Sequence, residues 1–305
     1  MKRFPGMKDN LPWVNKAELT GKKVLVRGDL DVDDADNPRA NSVRQMIVFL
    51  RQKGADKIKV IGHSETRVPL INMLRNEYVG VEFDDKLRDN GGEKLNDESF
   101  AKSLAEGWEV YVNEAFATSH RRHASISALP QVMRRDGKEV YLGLRFEKEV
   151  EMLSGIWEKA GRRILVIGGV KVSDKEKFAR DFKDKFAAVL TGGMISGVKL
   201  RPDGLDISDE VIAGYVQEIA TAEVILAAGV MGKYEDPGAE KGTKAILEAI
   251  AGNQKAYKVA GGGDIEMAIS KYGLTDKFNW ISVGGGAMLE YLGTGTLPGI
   301  EAVLK

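Results

Sequence analysis

The chain has 305 residues, 43% of them hydrophobic and 30% charged, with 45 basic and 45 acidic side chains and therefore no net charge. This length can hold two ordinary domains, and the neutral balance gives no overall field that would draw the protein to nucleic acid or to a membrane surface. The absence of cysteine excludes disulfides, thiolate metal sites and a cysteine nucleophile. Because no apolar run approaches the ~20 residues of a membrane span and residues 1–10 have no apolar signal core, we expect a cytoplasmic protein.

The first half of the chain alternates strand-like and helix-like segments. Short apolar runs predict strands over residues 23–27, 57–61, 79–83, 109–112 and 139–142. Helical spacing predicts a helix over 42–53, with Ser42 as its N-cap and Gly54 as its stop, and another over 97–105. Residues 145–159 predict a charged helix that would join two domains, with apolar positions at Phe146, Val150, Leu153 and either Ile156 or Trp157.

In the second half, apolar runs end repeatedly in glycine. The predicted strands are residues 163–167, 187–190, 222–226, 257–259 and 280–283, with helices between them. Strands that alternate with helices indicate parallel βαβ units and an α/β fold. In such sheets the ligand crevice lies at the carboxyl ends of the strands, where these glycines fall. Glycine allows the backbone to approach a ligand closely, so the pattern predicts a nucleotide site.

Two common nucleotide-binding fingerprints, Gly-x4-Gly-Lys-Ser/Thr and Gly-x-Gly-x-x-Gly after a first strand, do not occur in the chain. The segment 168–175 (GGVKVSDK) instead places two lysines four residues apart after a strand and a diglycine. On one helix face, Lys171 and Lys175 would present ammonium groups to a triphosphate or to a transferring phosphoryl group. The competing interpretation is two solvated lysines at a helix start, where the helix dipole disfavours cations.

A further glycine turn, residues 261–264 (GGGD), ends in a carboxylate. Mg²⁺ usually binds one or two carboxylates together with phosphate oxygens, so Asp264 suits a magnesium ligand. The alternative is that Asp264 serves only as the N-cap of the following helix.

Basic side chains of the first half lie near predicted strand ends: Arg39, His63, Arg67, Arg88 and Arg121. Arginine forks suit carboxylate and phosphate oxygens, although single surface arginines are common. The histidines at 120 and 123 suggest a metal pair at first sight, but the two arginines between them would repel a cation. The acidic stretch 29–36 is interpreted as a solvated turn rather than a cation site.

Together these residues resemble the phosphoglycerate kinase family. The resemblance runs from about residue 22 to residue 305. Its most specific stretches occur in the family's order: 24–32 (VLVRGDLDV), 110–125 (VYVNEAFATSHRRHAS), 168–175, 204–207 (GLDI), 229–235 with 241–243, 261–264 and 284–299 (GGGAMLEYLGTGTLPG).

The resemblance implies two Rossmann-like α/β domains, each a parallel sheet in three αβα layers, joined by a hinge helix. We expect a phosphoglycerate-binding domain over 1–143, an inter-domain helix over 144–160, a nucleotide-binding domain over 161–285, and a segment 286–305 that packs back towards the first domain. The implied glycolytic reaction is reversible phosphoryl transfer between 1,3-bisphosphoglycerate with ADP and 3-phosphoglycerate with ATP, with Mg²⁺ carried on the nucleotide. Domain closure would exclude water. We expect a monomer that binds these small molecules and neither nucleic acid nor membrane.

Matched position by position, the resemblance also implies residue roles. Arg39 and Lys171 would be catalytic, stabilising the transferring phosphoryl group, and Asp264 would hold the metal. The acceptor substrate would contact Asp29, Asp31, Arg39, His63, Arg67, Arg88 and Arg121. The nucleotide would contact Lys175, Gly192, Gly193, Gly204, Glu235, Gly262, Gly263, Asp264, Gly284 and Gly285.

The chain departs from the family's pattern at several places. Asp31 replaces an asparagine, and the stretch 63–67 (HSETR) has one extra residue before Arg67. Ala228 and Val230 replace an asparagine and a proline, Val283 replaces a threonine, and a strand–helix region is missing around 200–204. These changes leave open a non-catalytic relative that binds nucleotide or phosphoglycerate as a sensor. A third alternative is a dinucleotide-dependent oxidoreductase, which only the glycine-ended strands suggest and which lacks the first-strand fingerprint.

Overall fold

The computed structural model describes residues 10–32, 36–64, 70–169, 172–193, 195 and 197–304, and the chain forms two compact units. Among the described residues, the first unit comprises 10–150 with 294–304, and the second comprises 151–293. Each unit contains a five-stranded parallel sheet. No helix in the described part of the chain is long and apolar enough to cross a lipid bilayer.

The strands of the two sheets follow one another along the chain. They are β1 (Lys23–Arg27), β2 (Lys57–Ile61), β3 (Val81–Asp84), β4 (Val110–Asn113) and β5 (Glu139–Leu142) in the first unit, then β6 (Arg163–Ile167), β7 (Ala188–Thr191), β8 (Val224–Ala228), β9 (Tyr257–Gly261) and β10 (Trp280–Ser282) in the second. The spatial orders are β3-β2-β1-β4-β5 and β10-β9-β8-β6-β7. Every neighbouring pair is parallel, which confirms the predicted α/β class.

The helices alternate with these strands. They are α1 (Pro38–Gln52), α2 (Leu70–Glu77), α3 (Gly91–Lys94), α4 (Glu98–Ala105), α5 (Ala128–Arg135), α6 (Leu144–Glu158), α7 (Val172–Phe182), α8 (Asp209–Ala220), α9 (Lys241–Gly252), α10 (Gly263–Lys271), α11 (Gly285–Thr294) and α12 (Pro298–Leu304). Single 3₁₀ turns occur at Val14–Lys16, Leu87–Asp89, Phe116–Thr118 and Thr275–Lys277. The boundary between the units falls inside α6.

Each core forms where the central strands are buried on both faces, as parallel strands between helices require. In the first unit Val24, Val26 and Val112 pack with the apolar face of α1, which includes Val43 and Leu50. The helix α12 lies against α5 and β5, and Arg134 Nη1 donates to the carbonyl of Val303 at 3.3 Å.

The second unit has the same construction. Ile164, Ile225 and Ala260 from neighbouring strands pack with Ile246 and Ile250 of α9. Because strands β1, β6 and β8 are buried almost throughout, their polar neighbours are forced to the strand ends, where the candidate sites lie.

One helix start differs from the prediction. The helix α1 begins at Pro38, whereas the predicted segment is 42–53, and its N-cap is Asn37, whose side chain accepts from Arg39 N at 2.9 Å. The prediction of Ser42 as N-cap is therefore wrong, because proline is favourable in the first turn and extends the helix backwards. Ser42 lies inside the helix, and its hydroxyl donates to Glu114 Oε1 at 2.6 Å.

Candidate active site

In the first unit, the residues singled out from the sequence follow the carboxyl ends of parallel strands. β1 leads to Asp29 and Asp31, and β2 leads to His63. Arg88 lies in the 3₁₀ turn after β3. Since these ends belong to one edge of one sheet, side chains far apart in the sequence are brought together there.

The first contact at this edge joins Asp29 to Arg39. Arg39 lies in the first turn of α1, and its Nε is 3.6 Å from Asp29 Oδ2. Asp29 is buried, whereas Arg39 is half-buried. The Asn37 cap fixes the start of the helix and therefore the place from which Arg39 extends.

A second, more deeply buried set of contacts joins Arg27, Ser125, Glu93 and His63, and we name it the Arg27–Glu93 network. Arg27 Nε donates to Ser125 Oγ at 2.9 Å, and Ser125 Oγ donates to Glu93 Oε1 at 2.6 Å. Ser125 N donates to Glu93 Oε2 at 2.9 Å. His63 Nε2 lies 2.7 Å from Glu93 Oε1. The network thus links a buried guanidinium to a buried carboxylate through one hydroxyl.

The electrostatics of this network fix its charges at neutral pH. Burial alone would raise the pKa of Glu93, but the hydrogen bond from His63 and the charge of Arg27 together lower it. Burial lowers the pKa of His63 despite the hydrogen bond to Glu93, and burial lowers the pKa of His123 to about 4. Glu93 is therefore ionised at pH 7, and both imidazoles are neutral.

The ligand atoms of His63, Glu93 and His123 lie within 4.8 Å of one another, a donor set that a metal ion can use. His123 Nδ1 is 3.8 Å from Glu93 Oε1, and the two imidazole rings stack with centroids 5.3 Å apart. However, both oxygens of Glu93 already accept hydrogen bonds, and the Arg27 charge acts on all three groups. A cation is disfavoured beside a buried guanidinium, so the geometry favours a hydrogen-bonded cluster over a metal centre.

In the second unit, the glycine turns after β6 and β8 surround the side chain of Lys175. Its Nζ donates to the carbonyl of Gly168. A Cβ placed on Gly169 would lie 2.6 Å from Lys175 Nζ, and one placed on Gly229 would lie 2.7 Å from it. Both glycines have positive φ, at +107° and +124°. The turns therefore leave the space that the ammonium group occupies.

Asp264 lies at the same place. A Cβ on Gly169 would be 3.9 Å from Asp264 Oδ2, so the carboxylate and the Lys175 ammonium flank one glycine turn. The helix α10 begins at Gly263 with Gly262 as its N-cap, and Asp264 lies in the first turn. The alternative interpretation of Asp264 as an N-cap is therefore wrong, because Gly262, with φ +117°, takes that position.

Gly169 and Asp264 border a cleft of about 400 Å³, which we name the glycine cleft, and Lys175 lies next to it against Gly169. The predicted nucleotide residues Gly193, Gly204, Glu235 and Asp264 line it, together with Gly169, Leu200, Leu205, Asp206, Val230, Met231, Gly232 and Lys233. Its volume and its mixture of apolar, glycine and charged walls are typical of a small-molecule site.

Other predicted glycines allow backbone segments to approach closely. A Cβ on Gly192 would lie 2.8 Å from Met231 Cα, and one on Gly285 would lie 2.8 Å from Gly262 Cα. Gly193 N donates to the carbonyl of Met231 at 2.6 Å. A Cβ on Gly263 would meet nothing within 4 Å, so this turn is open.

Comparison with known proteins assigns the family. A model of the phosphoglycerate kinase family matches residues 81–201 and 195–295. The phosphoglycerate kinase of Acidobacterium capsulatum is 31% identical, over 72% of this chain and 70% of its own length. That of Dictyoglomus turgidum is 29% identical, over 94% of this chain and 96% of its own length. The chain belongs to the phosphoglycerate kinase family.

This membership makes the protein a phosphotransferase with a function in glycolysis. The solved phosphoglycerate kinase of Coxiella burnetii has the same fold, with a TM-score of 0.81 at 22% identity, covering 96% of this chain and 99% of its own. The comparisons do not favour the non-catalytic relative that the sequence left open.

The structure groups most of the residues predicted from the family resemblance. Asp29 pairs with Arg39, and the charge of Arg88 contributes to the lowered pKa of His63, which burial dominates. Arg121 is exposed, and its charge adds to the effect of burial in lowering the pKa of His123. Asp31 lies at the same edge and is half-buried. Arg67 and Lys171 lie outside the described residues.

Sequence reasoning missed three groups that the structure places beside predicted residues. The signal for Arg27 is a charged residue at the end of an apolar strand, VLVR. Glu93 gave no local signal. Asp206 lines the glycine cleft within the GLDI motif; its Oδ1 accepts from Ile207 N at 2.8 Å and its Oδ2 from Gly242 N at 2.6 Å. The hydrogen bond from Gly242 N joins the cleft wall to the start of α9. Burial raises the pKa of the Asp206 carboxyl group.

Proposed function

We propose that this protein catalyses reversible phosphoryl transfer between 1,3-bisphosphoglycerate with ADP and 3-phosphoglycerate with ATP. The observation that carries the proposal is the glycine cleft, where a lysine and an aspartate flank a turn without side chains. Such a turn exposes backbone N–H groups to phosphate oxygens, and the lysine supplies a cation.

The nucleotide would occupy the glycine cleft. Its phosphates would meet Lys175 and the turns at Gly192, Gly193, Gly262, Gly263, Gly284 and Gly285. Glu235 at the cleft wall would accept hydrogen bonds from the ribose hydroxyls, and Gly204 with the apolar wall would border the base. The ten-residue helix α11 begins at Gly285, where its N-terminal dipole favours anionic groups.

Asp264 would hold Mg²⁺ together with phosphate oxygens. The fit rests on its donor chemistry: a half-buried carboxylate at the cleft, beside a turn open enough for phosphate. Mg²⁺ takes oxygen ligands and usually binds through one or two carboxylates plus phosphates. When bound, it would neutralise charge on the phosphates. Lys175, whose ammonium group lies beside the same glycine, would share that task.

The acceptor would bind at the strand edge of the first unit. Asp29, Asp31, Arg39, His63, Arg67, Arg88 and Arg121 are the proposed contacts. Arg39 and Lys171 would stabilise charge on the transferring group, so that catalysis comes from positioning and electrostatics without a covalent enzyme intermediate. We further propose a phosphoglycerate-binding domain over 1–143, an inter-domain helix over 144–160, a nucleotide-binding domain over 161–285 and a C-terminal segment over 286–305. We also propose a monomeric state and a cytoplasmic location.

The test is a coupled assay of purified protein with Mg-ATP and 3-phosphoglycerate, run in both directions. We expect ADP formation that depends on both substrates. The Lys171→Ala variant should lose far more in kcat than in affinity, because its role is assigned to the transition state. Binding of both substrates without turnover would contradict the proposal, and an equal loss of rate and affinity in Lys171→Ala would contradict the role of that residue.

A further inference from the structure

Glu93 has no role in the reaction proposed above, yet it is the anionic centre of the Arg27–Glu93 network. Its side chain is 0% exposed, and it lies in the single-turn helix α3. Burying a carboxylate is costly unless it is paired and hydrogen-bonded. The carboxylate is hydrogen-bonded to Ser125 N, Ser125 Oγ and His63 Nε2, and these contacts offset the cost of its burial. In return it holds these neighbours in place.

The contact with His63 fixes the protonation pattern of the imidazole. An ionised carboxylate only accepts hydrogen bonds, so the proton of neutral His63 must lie on Nε2, which is 2.7 Å from Glu93 Oε1. The backbone carbonyl of Glu93 accepts from Ala124 N at 2.8 Å. Glu93 therefore anchors both the ring of His63 and the loop that contains Arg121 and His123.

The contact through Ser125 extends this control to Arg27. The Arg27 side chain is 1% exposed and reaches the carboxylate through Ser125 Oγ. Within the described residues, Arg27 Nη2 has no hydrogen-bond partner. The charge of Arg27 helps to lower the pKa of Glu93, so the ionised carboxylate in turn stabilises the buried guanidinium. Tyr111 OH donates to the carbonyl of Ser125 at 2.7 Å and fixes the linking residue in turn.

We infer that Glu93 is a positioning residue of the phosphoglycerate subsite, which holds His63 in one tautomer and Arg27 in one place for an anionic acceptor. The inference rests on the proposed function, because it takes the acceptor to bind at this strand edge. Glu93 acts through these neighbours, since direct contact between a carboxylate and an anionic substrate would be repulsive.

The first measurement is steady-state kinetics of Glu93→Gln, which preserves size and removes the negative charge. We expect the KM for 3-phosphoglycerate to rise about tenfold or more, because hydrogen bonds to a charged group are stronger than those to a neutral amide. The KM for Mg-ATP and kcat should stay within about twofold. Glu149→Gln is the matched control: Glu149 is also fully buried and ion-paired, with Arg145 at 2.9 Å, and its loss should leave the phosphoglycerate KM unchanged.

The second measurement reads the tautomer without turnover. The chain has three histidines, so a nitrogen-15 NMR spectrum of histidine-labelled wild-type protein is simple, and the His63→Gln variant assigns the His63 signals. We expect His63 to carry its proton on Nε2 at neutral pH. A proton fixed on Nδ1 would overturn the inference, because Glu93 could then not accept from Nε2.

The kinetic outcomes are equally decisive. An unchanged phosphoglycerate KM in folded Glu93→Gln, or a uniform loss across both substrates, overturns the inference. If Glu93→Gln does not fold, Ser125→Ala removes the hydroxyl that joins Arg27 Nε to Glu93 Oε1 and keeps the backbone hydrogen bond from Ser125 N to Glu93 Oε2. This variant should still raise that KM at least threefold; no rise would overturn the inference. If the wild-type enzyme is active and the variants have an unchanged KM for 3-phosphoglycerate, only the inference about Glu93 is contradicted. If the wild-type enzyme is inactive, the proposed function is contradicted.

Discussion

The strand edge of the first unit and the glycine cleft of the second are built by opposite means. The strand edge depends on side chains that bind one another, with Arg27, Ser125 and Glu93 almost completely buried. The glycine cleft depends on missing side chains, since a Cβ on Gly169 or Gly229 would collide with Lys175. One region is specified by which groups are present, and the other by the space that glycine leaves.

This difference determines how each region should respond to change. A buried polar network in low dielectric is stable only while every member is satisfied, so it is sensitive to protonation and to the loss of one group. A backbone-lined turn contains few titratable groups and is sensitive to added volume and to φ. The first unit should therefore show the stronger pH dependence, and the second the stronger dependence on glycine.

The largest expected effect concerns Glu114, a buried carboxyl of the first unit. It accepts from Ser42 Oγ at 2.6 Å and from Arg145 N at 3.0 Å, and burial raises its pKa from 4.5 to about 8. Because the folded pKa is raised, the folded state binds more protons than the unfolded state between about pH 4.5 and 8. The contribution of Glu114 to the free energy of unfolding should therefore be greatest below about pH 4.5 and should be lost as pH rises from there through about 8.

Replacing Glu114 by glutamine should remove this dependence. We expect the wild type to lose on the order of 3 kcal/mol more than Glu114→Gln between pH 5 and pH 8, measured by urea unfolding at each pH. Glu106→Gln, at an exposed position of the same unit, serves as the control and should follow the wild type. Parallel pH profiles for the wild type and Glu114→Gln would show that Glu114 is ionised at little cost in the folded state.

The next effect tests the cationic part of the glycine cleft. Lys175→Met keeps an unbranched side chain of four heavy atoms in place of five and removes the charge that lies between the glycine turns and beside Asp264. We expect kcat/KM for Mg-ATP to fall about 100-fold, the usual loss when one preorganised donor is removed. Lys177→Met, at an exposed position two residues further along α7, should change it less than twofold. Similar losses in both variants would indicate a general effect of helix charge.

A smaller effect tests the space itself. Gly193 has φ +63°, and a Cβ there would lie 2.5 Å from Gly169 N and 2.8 Å from Gly169 O. Gly193→Ala should therefore cost about 1–3 kcal/mol of stability and weaken nucleotide binding. Gly214→Ala, within α8 where nothing lies within 4 Å, should stabilise the protein by about 0.5–1 kcal/mol. Thermal unfolding and nucleotide titration measure both, and equal effects would contradict the steric argument.

The two regions also differ in how much the sequence predicts. The glycine-ended strands of the second unit are a local pattern, and the predicted strands at residues 163–167 and 280–283 match β6 and β10 to within one residue. Gly193 and Asp264 follow from such strand ends, whereas Gly204 and Glu235 are implied by the family resemblance. Gly193, Gly204, Glu235 and Asp264 indeed line a single cleft.

The network of the first unit is not predictable in this way. Its members Arg27, His63, Glu93 and Ser125 come from four separate segments, and only the sheet order β3-β2-β1-β4-β5 brings these segments together. A buried glutamate in a single-turn helix has no periodic signal. His63 is therefore predictable from the family resemblance, whereas the carboxylate that holds it is not.

The smallest expected effect concerns the N-cap of α1, whose position differs from the prediction. Asn37 caps α1 and Ser208 caps α8, where it accepts from Val211 N at 3.4 Å. Removing either side chain by alanine should cost about 1 kcal/mol of stability. Only Asn37→Ala should also raise the KM for 3-phosphoglycerate, by about two- to threefold, because its bond to Arg39 N fixes the turn from which Arg39 extends towards Asp29. A similar rise in Ser208→Ala would mean that the change follows global stability, and an unchanged KM in Asn37→Ala would show that Arg39 keeps its place without the cap.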